Sequence, residues 1–90
     1  MPETLHLHLI SDSTGETLDM LAKAALAQFE GASIERHLWP LVRSQQGLER
    51  IMADVADKPG IVLFTLASPD IRTALEEKCR TLGLKAVSPL

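Results

Sequence analysis

The chain has 90 residues, a formal net charge of -3 and 46% hydrophobic residues, with a pI near 5.5. That length allows one domain at most, burying somewhat over ~60% of its unfolded surface, and the hydrophobic share is that of a globule, not a disordered tail. No basic block and only 3% aromatics argue against nucleic-acid binding; the lone Cys79 excludes an internal disulfide framework and suggests a reducing compartment; and without a signal peptide or a bilayer-length apolar run the expectation is a soluble, cytoplasmic protein with no membrane partner.

The elements follow in chain order. Leu5–Ile10 (LHLHLI) reads as a strand, with Leu5, Leu7 and Leu9 on one face and His6, His8 and Ile10 on the other. A helix is predicted from about Gly15 to Glu30, where Leu18, Leu21, Ala22, Ala25, Leu26 and Phe29 form one apolar stripe and Gly31 stops it. Ser33–Trp39 (SIERHLW) is the weakest strand by pattern, because Glu35 and Arg36 suit only an edge or a half-exposed face. Pro40 ends it, and Ser44 caps a second helix whose buried stripe is Leu48, Ile51, Met52 and Val55. Lys58-Pro59-Gly60 breaks the chain before Gly60–Leu66 (GIVLFTL), whose continuous apolar and β-branched run predicts a strand buried on both faces of a parallel sheet. Ser68-Pro69-Asp70 opens a third helix with an N-cap, a proline at N1 and an acid in the first turn; Ile71, Ala74, Leu75, Cys79 and Leu82 are its stripe. Gly83 closes it, and Leu84–Val87 reads as a short fourth strand.

The order β-α-β-α-β-α-β with short connections predicts an α/β fold in three layers: a four-stranded, mainly parallel sheet with helices on both faces, the half of a Rossmann-like or flavodoxin-like domain. Strand orders 2-1-3-4 and 3-2-1-4 both satisfy it. The pattern stops directly after a strand, so residues 1–90 read as a single N-terminal α/β domain of a longer protein. An unprotected sheet edge would also suit a homodimer.

In such a sheet, ligands sit beyond the carboxyl ends of the strands. Three segments should gather there: Ser11–Thr17, Pro40–Ser44 and Thr65–Asp70. Each precedes a helix N-terminus, which favours anions. Ser11, Asp12, Ser13, Thr14, Gly15, Glu16 and Thr17, with Arg43 and Ser68, are therefore the candidate phosphate- or substrate-binding residues. Two readings of the turn stand side by side. Ser13 and Glu16 fit a capping box, the Ser13 hydroxyl serving the Glu16 amide and the Glu16 carboxylate reaching back; that does not account for Ser11, Asp12, Thr14 and Thr17. The other reading is an anion site at the helix N-terminus. No G-x-x-x-x-G-K-[ST] P-loop and no G-x-G-x-x-G occurs in the chain.

Asp12 could hold Mg²⁺ or take a proton, but an Asp in such a turn more often bonds nearby backbone amides. His6 and His8 could ligate a metal together, yet no third ligand is evident and His37 has no recognisable partner, so no metal is assigned. Cys79, on a buried stripe, reads as a small core residue. No residue of the chain is assigned as catalytic.

LHLHLISDSTGETLDMLAKAALAQFEG at the start, SDSTGET at residues 11–17 and PGIVLFTLASPDIRTALEEKC at residues 59–79 resemble the pyruvate, phosphate dikinase regulatory protein family, bifunctional kinase–phosphorylases related to the phosphoenolpyruvate synthase regulatory proteins. The turn is closer to the dikinase branch. The resemblance implies an enzyme that phosphorylates a threonine of the dikinase with ADP, inactivating it, and removes that phosphate with inorganic phosphate, releasing pyrophosphate. It also implies a nucleotide, ADP or ATP, with Mg²⁺ as an associated ion, bound at a P-loop in a later kinase domain absent from this chain. Residues 1–90 alone are then expected to be inactive. Two alternatives come from other classes. One is a DegV-like fatty-acid-binding domain, in which the hydroxyls hold a carboxylate head group. The other is a non-catalytic phosphate-binding or interaction module of receiver-like shape.

Overall fold

The alternation of short apolar runs and amphipathic stretches folds as β1 (Thr4–Ser11), α1 (Glu16–Leu26), β2 (Ser33–Trp39), α2 (Gln45–Asp57), β3 (Gly60–Thr65), α3 (Pro69–Leu82) and β4 (Lys85–Val87). The computed structural model describes residues 4–28 and 33–89. The strands form one sheet in the order β2-β1-β3-β4, so the flavodoxin-like order holds and 3-2-1-4 does not. All pairings are parallel: Thr4 lies against Ser33, Ile10 against Trp39, His6 against Gly60, Ser11 against Thr65, and Ile61 against Lys85.

The order makes the chain step from β1 to one side and from β3 to the other. Crossovers of one hand then carry α1 to one face and α2 and α3 to the opposite face. The two cores reflect this. Leu7, Leu9, Leu18 and Ala22 pack under α1. The larger core joins Ile10, Val62, Phe64 and Leu66 of the sheet side to Leu48, Met52 and Val55 of α2 and Ile71, Leu75 and Cys79 of α3. β3 is central, and its residues feed both cores, as its unbroken apolar run requires. β2 is an edge strand, which is how it tolerates charge: its Arg36 reaches across to Asp19 of α1, Nη1 to Oδ1 2.6 Å.

The local punctuation works as expected in places. Ser44 caps α2, its Oγ accepting from the Gly47 amide at 3.0 Å. Gly83 ends α3 in the left-handed region, φ 71°. Other expectations are corrected. α1 ends at Leu26, with Ala27 as its C-cap, not at Glu30; Phe29, Glu30 and Gly31 lie outside the described residues. Leu21 and Ala25 are exposed, not part of a buried stripe, because α1 meets the sheet along the narrow line of Leu18, Ala22 and the partly buried Leu26. Leu82, in the last turn of α3, is 41% exposed for a similar reason: the sheet has narrowed to the short β4 beside it.

Candidate functional site

The strand connections run outward in opposite senses on either side of the β1–β3 pair, and the carboxyl ends of these two strands meet at the register pair Ser11–Thr65. A crevice at such a switch point is where open α/β sheets place ligands. Here it is a cleft of about 390 Å³. Ser11, Asp12, Ser13, Gly15 and Thr17 line one side, and Thr65, Arg72 and Ser88 come to it from β3, α3 and the segment after β4.

Ser11 is the hub of the opening turn. It is 1% exposed. Its Oγ accepts from the Ser13 amide at 3.1 Å and from the Thr65 hydroxyl at 3.2 Å. A hydroxyl has one hydrogen and two acceptor pairs, so its own proton points to Ser13 Oγ, 3.2 Å away. Asp12 follows. Its amide donates to the Thr65 carbonyl at 3.3 Å, and its Oδ2 accepts from the Ala67 amide at 2.8 Å. The ordinary role of a turn aspartate is thus present, but its amide partner lies across the sheet in the β3–α3 loop. The β2–α2 loop is tied in as well: Leu41 N–H donates to Ser13 O and Val42 N–H to Ser11 O, both at 2.9 Å. Arg43 Nε donates to the Asp12 carbonyl at 3.0 Å. The three carboxyl-edge segments are therefore stitched together by backbone, with Leu41 held at φ 60°.

The capping box does not form. The N-cap of α1 is Gly15, at φ 81° and with no side-chain cap, because the Ser13 amide and hydroxyl are engaged with Ser11 instead. A Cβ at Gly15 would stand 2.7 Å from Leu38 Cδ1. Positive φ and a close neighbour together explain glycine here. α3 likewise starts without a side-chain cap from Ser68, with proline in its first turn.

The structure thus brings Ser11, Asp12, Ser13, Gly15 and Thr17 to the cleft wall. Thr14 and Glu16 are exposed beside it; Arg43 grips the back of the turn, and Ser68 stands at the head of α3. Sequence reasoning passed over Arg72, the cation on the cleft wall. Its signal was available: it sits in the first turn of a helix that starts at the carboxyl edge. Chemically the arrangement offers hydroxyls, an uncapped helix start and a guanidinium, a set suited to holding an anion. Cys79 is no nucleophile. It is buried in the larger core, and burial, with Glu76 nearby, pushes its thiol pKa up.

His37 does have partners, contrary to expectation. β1–β2 pairing sets it beside His8, rings 4.7 Å apart, and its Nε2 lies 3.0 Å from His6 Nδ1. The third potential ligand that the sequence did not reveal is present too: His6, Glu35 and His37 offer ligand atoms within 4.8 Å of one another. These pairs depend on strand register across thirty or so positions, which no local pattern carries.

A parallel sheet in this order, with a hydroxyl-rich crevice at the switch point, is the frame of an open α/β domain that binds its ligand at the carboxyl edge. The chain belongs to the kinase/pyrophosphorylase family, whose model matches residues 7–90. It is 59% identical over 88 residues to a protein of Novosphingobium aromaticivorans that bears the provisional name pyruvate, phosphate dikinase regulatory protein, covering 98% of this chain and 31% of that protein. A protein of the same provisional name from Rhizorhabdus wittichii is 60% identical over 86 residues, covering 96% of this chain and 31% of its own. The chain thus spans about a third of the length of these relatives. The fatty-acid-binding alternative finds no support in these matches. Among the described residues, no helix is long and apolar enough to cross a membrane.

Proposed function

We propose that the whole protein is an ADP-dependent Ser/Thr kinase and a phosphate-dependent, pyrophosphate-forming phosphorylase regulating pyruvate, phosphate dikinase, and that residues 1–90 supply its phosphate- and substrate-contacting α/β domain. The observation that carries this reading is the convergence of the Ser11–Thr17 turn, Thr65 and Arg72 on one cleft in a chain of the kinase/pyrophosphorylase family. The relatives' shared name supports the dikinase as the protein partner.

In this reading the start of α1, the Ser13 and Thr17 hydroxyls and Arg72 hold the phosphate of a protein substrate, or free phosphate or pyrophosphate. Asp12, pinned to the Ala67 amide, and Arg43, bonded to the Asp12 carbonyl, keep the turn in shape. Thr14, Glu16 and Ser68 border the docking surface. Phosphoryl transfer is mostly positioning and charge stabilisation, and these residues do the positioning. ADP and Mg²⁺ are bound by the part of the protein corresponding to the relatives' remaining length; the 90-residue chain by itself catalyses neither reaction. The protein works in the cytoplasm, and the β2 edge is open to pairing in a homodimer.

The test is an assay of the whole protein with ADP and purified dikinase. Phosphothreonine on the dikinase with loss of its activity, reversed by phosphate with pyrophosphate release, is the expected outcome. An unmodified dikinase would overturn the proposal.

A further inference from the structure

A second cluster lies away from the cleft. The β1–β2 register sets His6 beside Glu35 and His8 beside His37. Residues two apart on a strand share a face, so all four project from the face that α2 covers. His8 is committed to the fold. Trp39 Nε1–H, a donor only, bonds its Nδ1 at 3.1 Å. That leaves His8 Nε2–H to donate to the Lys58 carbonyl at 2.8 Å. Burial holds His8 neutral, its pKa lowered.

His6 and His37 are placed differently. His6 Nδ1 stands 3.0 Å from His37 Nε2 and 3.6 Å from Glu35 Oε2. One ligand atom from each of the three residues lies within 4.8 Å of the others. Nitrogen or oxygen ligands about 2.0–2.1 Å from a tetrahedral zinc ion stand about 3.3 Å apart; the His6–His37 and His6–Glu35 separations bracket that edge, and the His37–Glu35 edge, within 4.8 Å, closes by rotation of the exposed Glu35 side chain. The His37 ring is held by stacking on His8 at an interplanar angle of 17°, so one ligand is already oriented. The Glu35 side chain is 53% exposed, which gives an ion a route in and leaves a fourth position to solvent.

We propose that His6 Nδ1, His37 Nε2 and the Glu35 carboxylate form a binding site for a divalent transition-metal ion, zinc by the borderline character of a two-imidazole, one-carboxylate donor set. Binding requires whichever ring donates in the His6–His37 hydrogen bond to move its proton to its other nitrogen. The bound ion clamps the edge strand β2 to β1.

The experiment is a zinc chloride titration of the metal-free 90-residue chain, followed by calorimetry, imidazole ¹⁵N NMR and thermal melting. One ion per chain is expected, with shifts at His6 and His37, an unchanged His8 tautomer and a melting temperature that rises with zinc. His37→Gln should abolish binding. Glu35→Gln should weaken it at least ~10-fold, since even outer partners of metal ligands are worth 10–100-fold. No saturable binding, or equal affinity in His37→Gln, would overturn the assignment. If His37→Gln does not fold, Glu35→Gln decides alone, and unchanged affinity there overturns it.

Discussion

Three glycines offer a graded test of how the chain is held together. Gly83 sits at φ 71° with nothing within 4 Å of a built Cβ. Gly83→Ala therefore isolates the left-handed backbone cost, about 1–2 kcal/mol. Gly15 adds a neighbour: its Cβ would meet Leu38 Cδ1 at 2.7 Å, the far end of a flexible, half-exposed side chain. Turning Leu38 off its preferred rotamer adds about 0.5–1.5 kcal/mol, for a total of roughly 1.5–3.5 kcal/mol. Gly60 meets backbone. Its Cβ would lie 1.9 Å from the His6 carbonyl oxygen, inside the β1–β3 ladder where His6 and Gly60 are paired. Ordinary van der Waals contact begins near 3.4 Å, so the two strands must part by over an ångström at the centre of the sheet. Loss of ladder hydrogen bonds and of packing beneath them should cost above about 4 kcal/mol, the exceptional end of single substitutions. A domain of this size holds roughly 5–13 kcal/mol in all, so Gly60→Ala should leave the chain close to unfolding. Urea denaturation followed by circular dichroism would rank the variants. A Gly60→Ala cost no greater than that of Gly83→Ala would refute the strand geometry.

Ser11→Ala removes the acceptor of both the Ser13 amide and the Thr65 hydroxyl; with Ser11 buried, we expect a loss of about 1–3 kcal/mol, measured by the same denaturation, and a cost under ~0.5 kcal/mol would mean the turn does not depend on it. Asp12→Ala frees the exposed Ala67 amide and should cost about 1 kcal/mol, with faster hydrogen exchange at Ala67; unchanged exchange would contradict the cross-sheet bond. The Cys79 thiol has its pKa raised above the usual 9.0 by burial. The folded state therefore holds a proton that the unfolded chain loses above that pH, so this contribution to stability is complete below pH 9.0 and falls as pH rises through the folded pKa. The alkaline decline in wild-type stability should exceed that of Cys79→Ala, and parallel curves would refute it.

The sequence carried the element order almost whole, because the apolar periodicities are strong and the breaks at Pro40, Lys58–Gly60 and Gly83 are clear. Boundaries such as Thr65 or Lys85 shift by a residue, within the usual slack of strand ends. Strand order is another matter. Periodicity says which face is buried, not which strand is the neighbour, and so 2-1-3-4 had to be seen. The opening turn shows why a local motif can mislead. Ser13 and Glu16 carry the spacing of a capping box, but a competing set of bonds to Ser11 and to the β2–α2 loop moves the N-cap to Gly15. Arg72 was legible from its place at the start of α3, while Arg43, equally near the edge, turned to the back of the turn. The His6–Glu35–His37 cluster was not legible at all, since it exists only through register.

The proposed binding of phosphate at the switch-point cleft can be checked by titrating phosphate into the ¹⁵N-labelled 90-residue chain and reading the amide and arginine Nε spectra. Saturable shifts at Ser13, Gly15, Glu16 and Thr17 together with Arg72, lost in Arg72→Ala, are predicted. Spectra that stay unchanged at millimolar phosphate, or shifts that Arg72→Ala leaves intact, would contradict the claim.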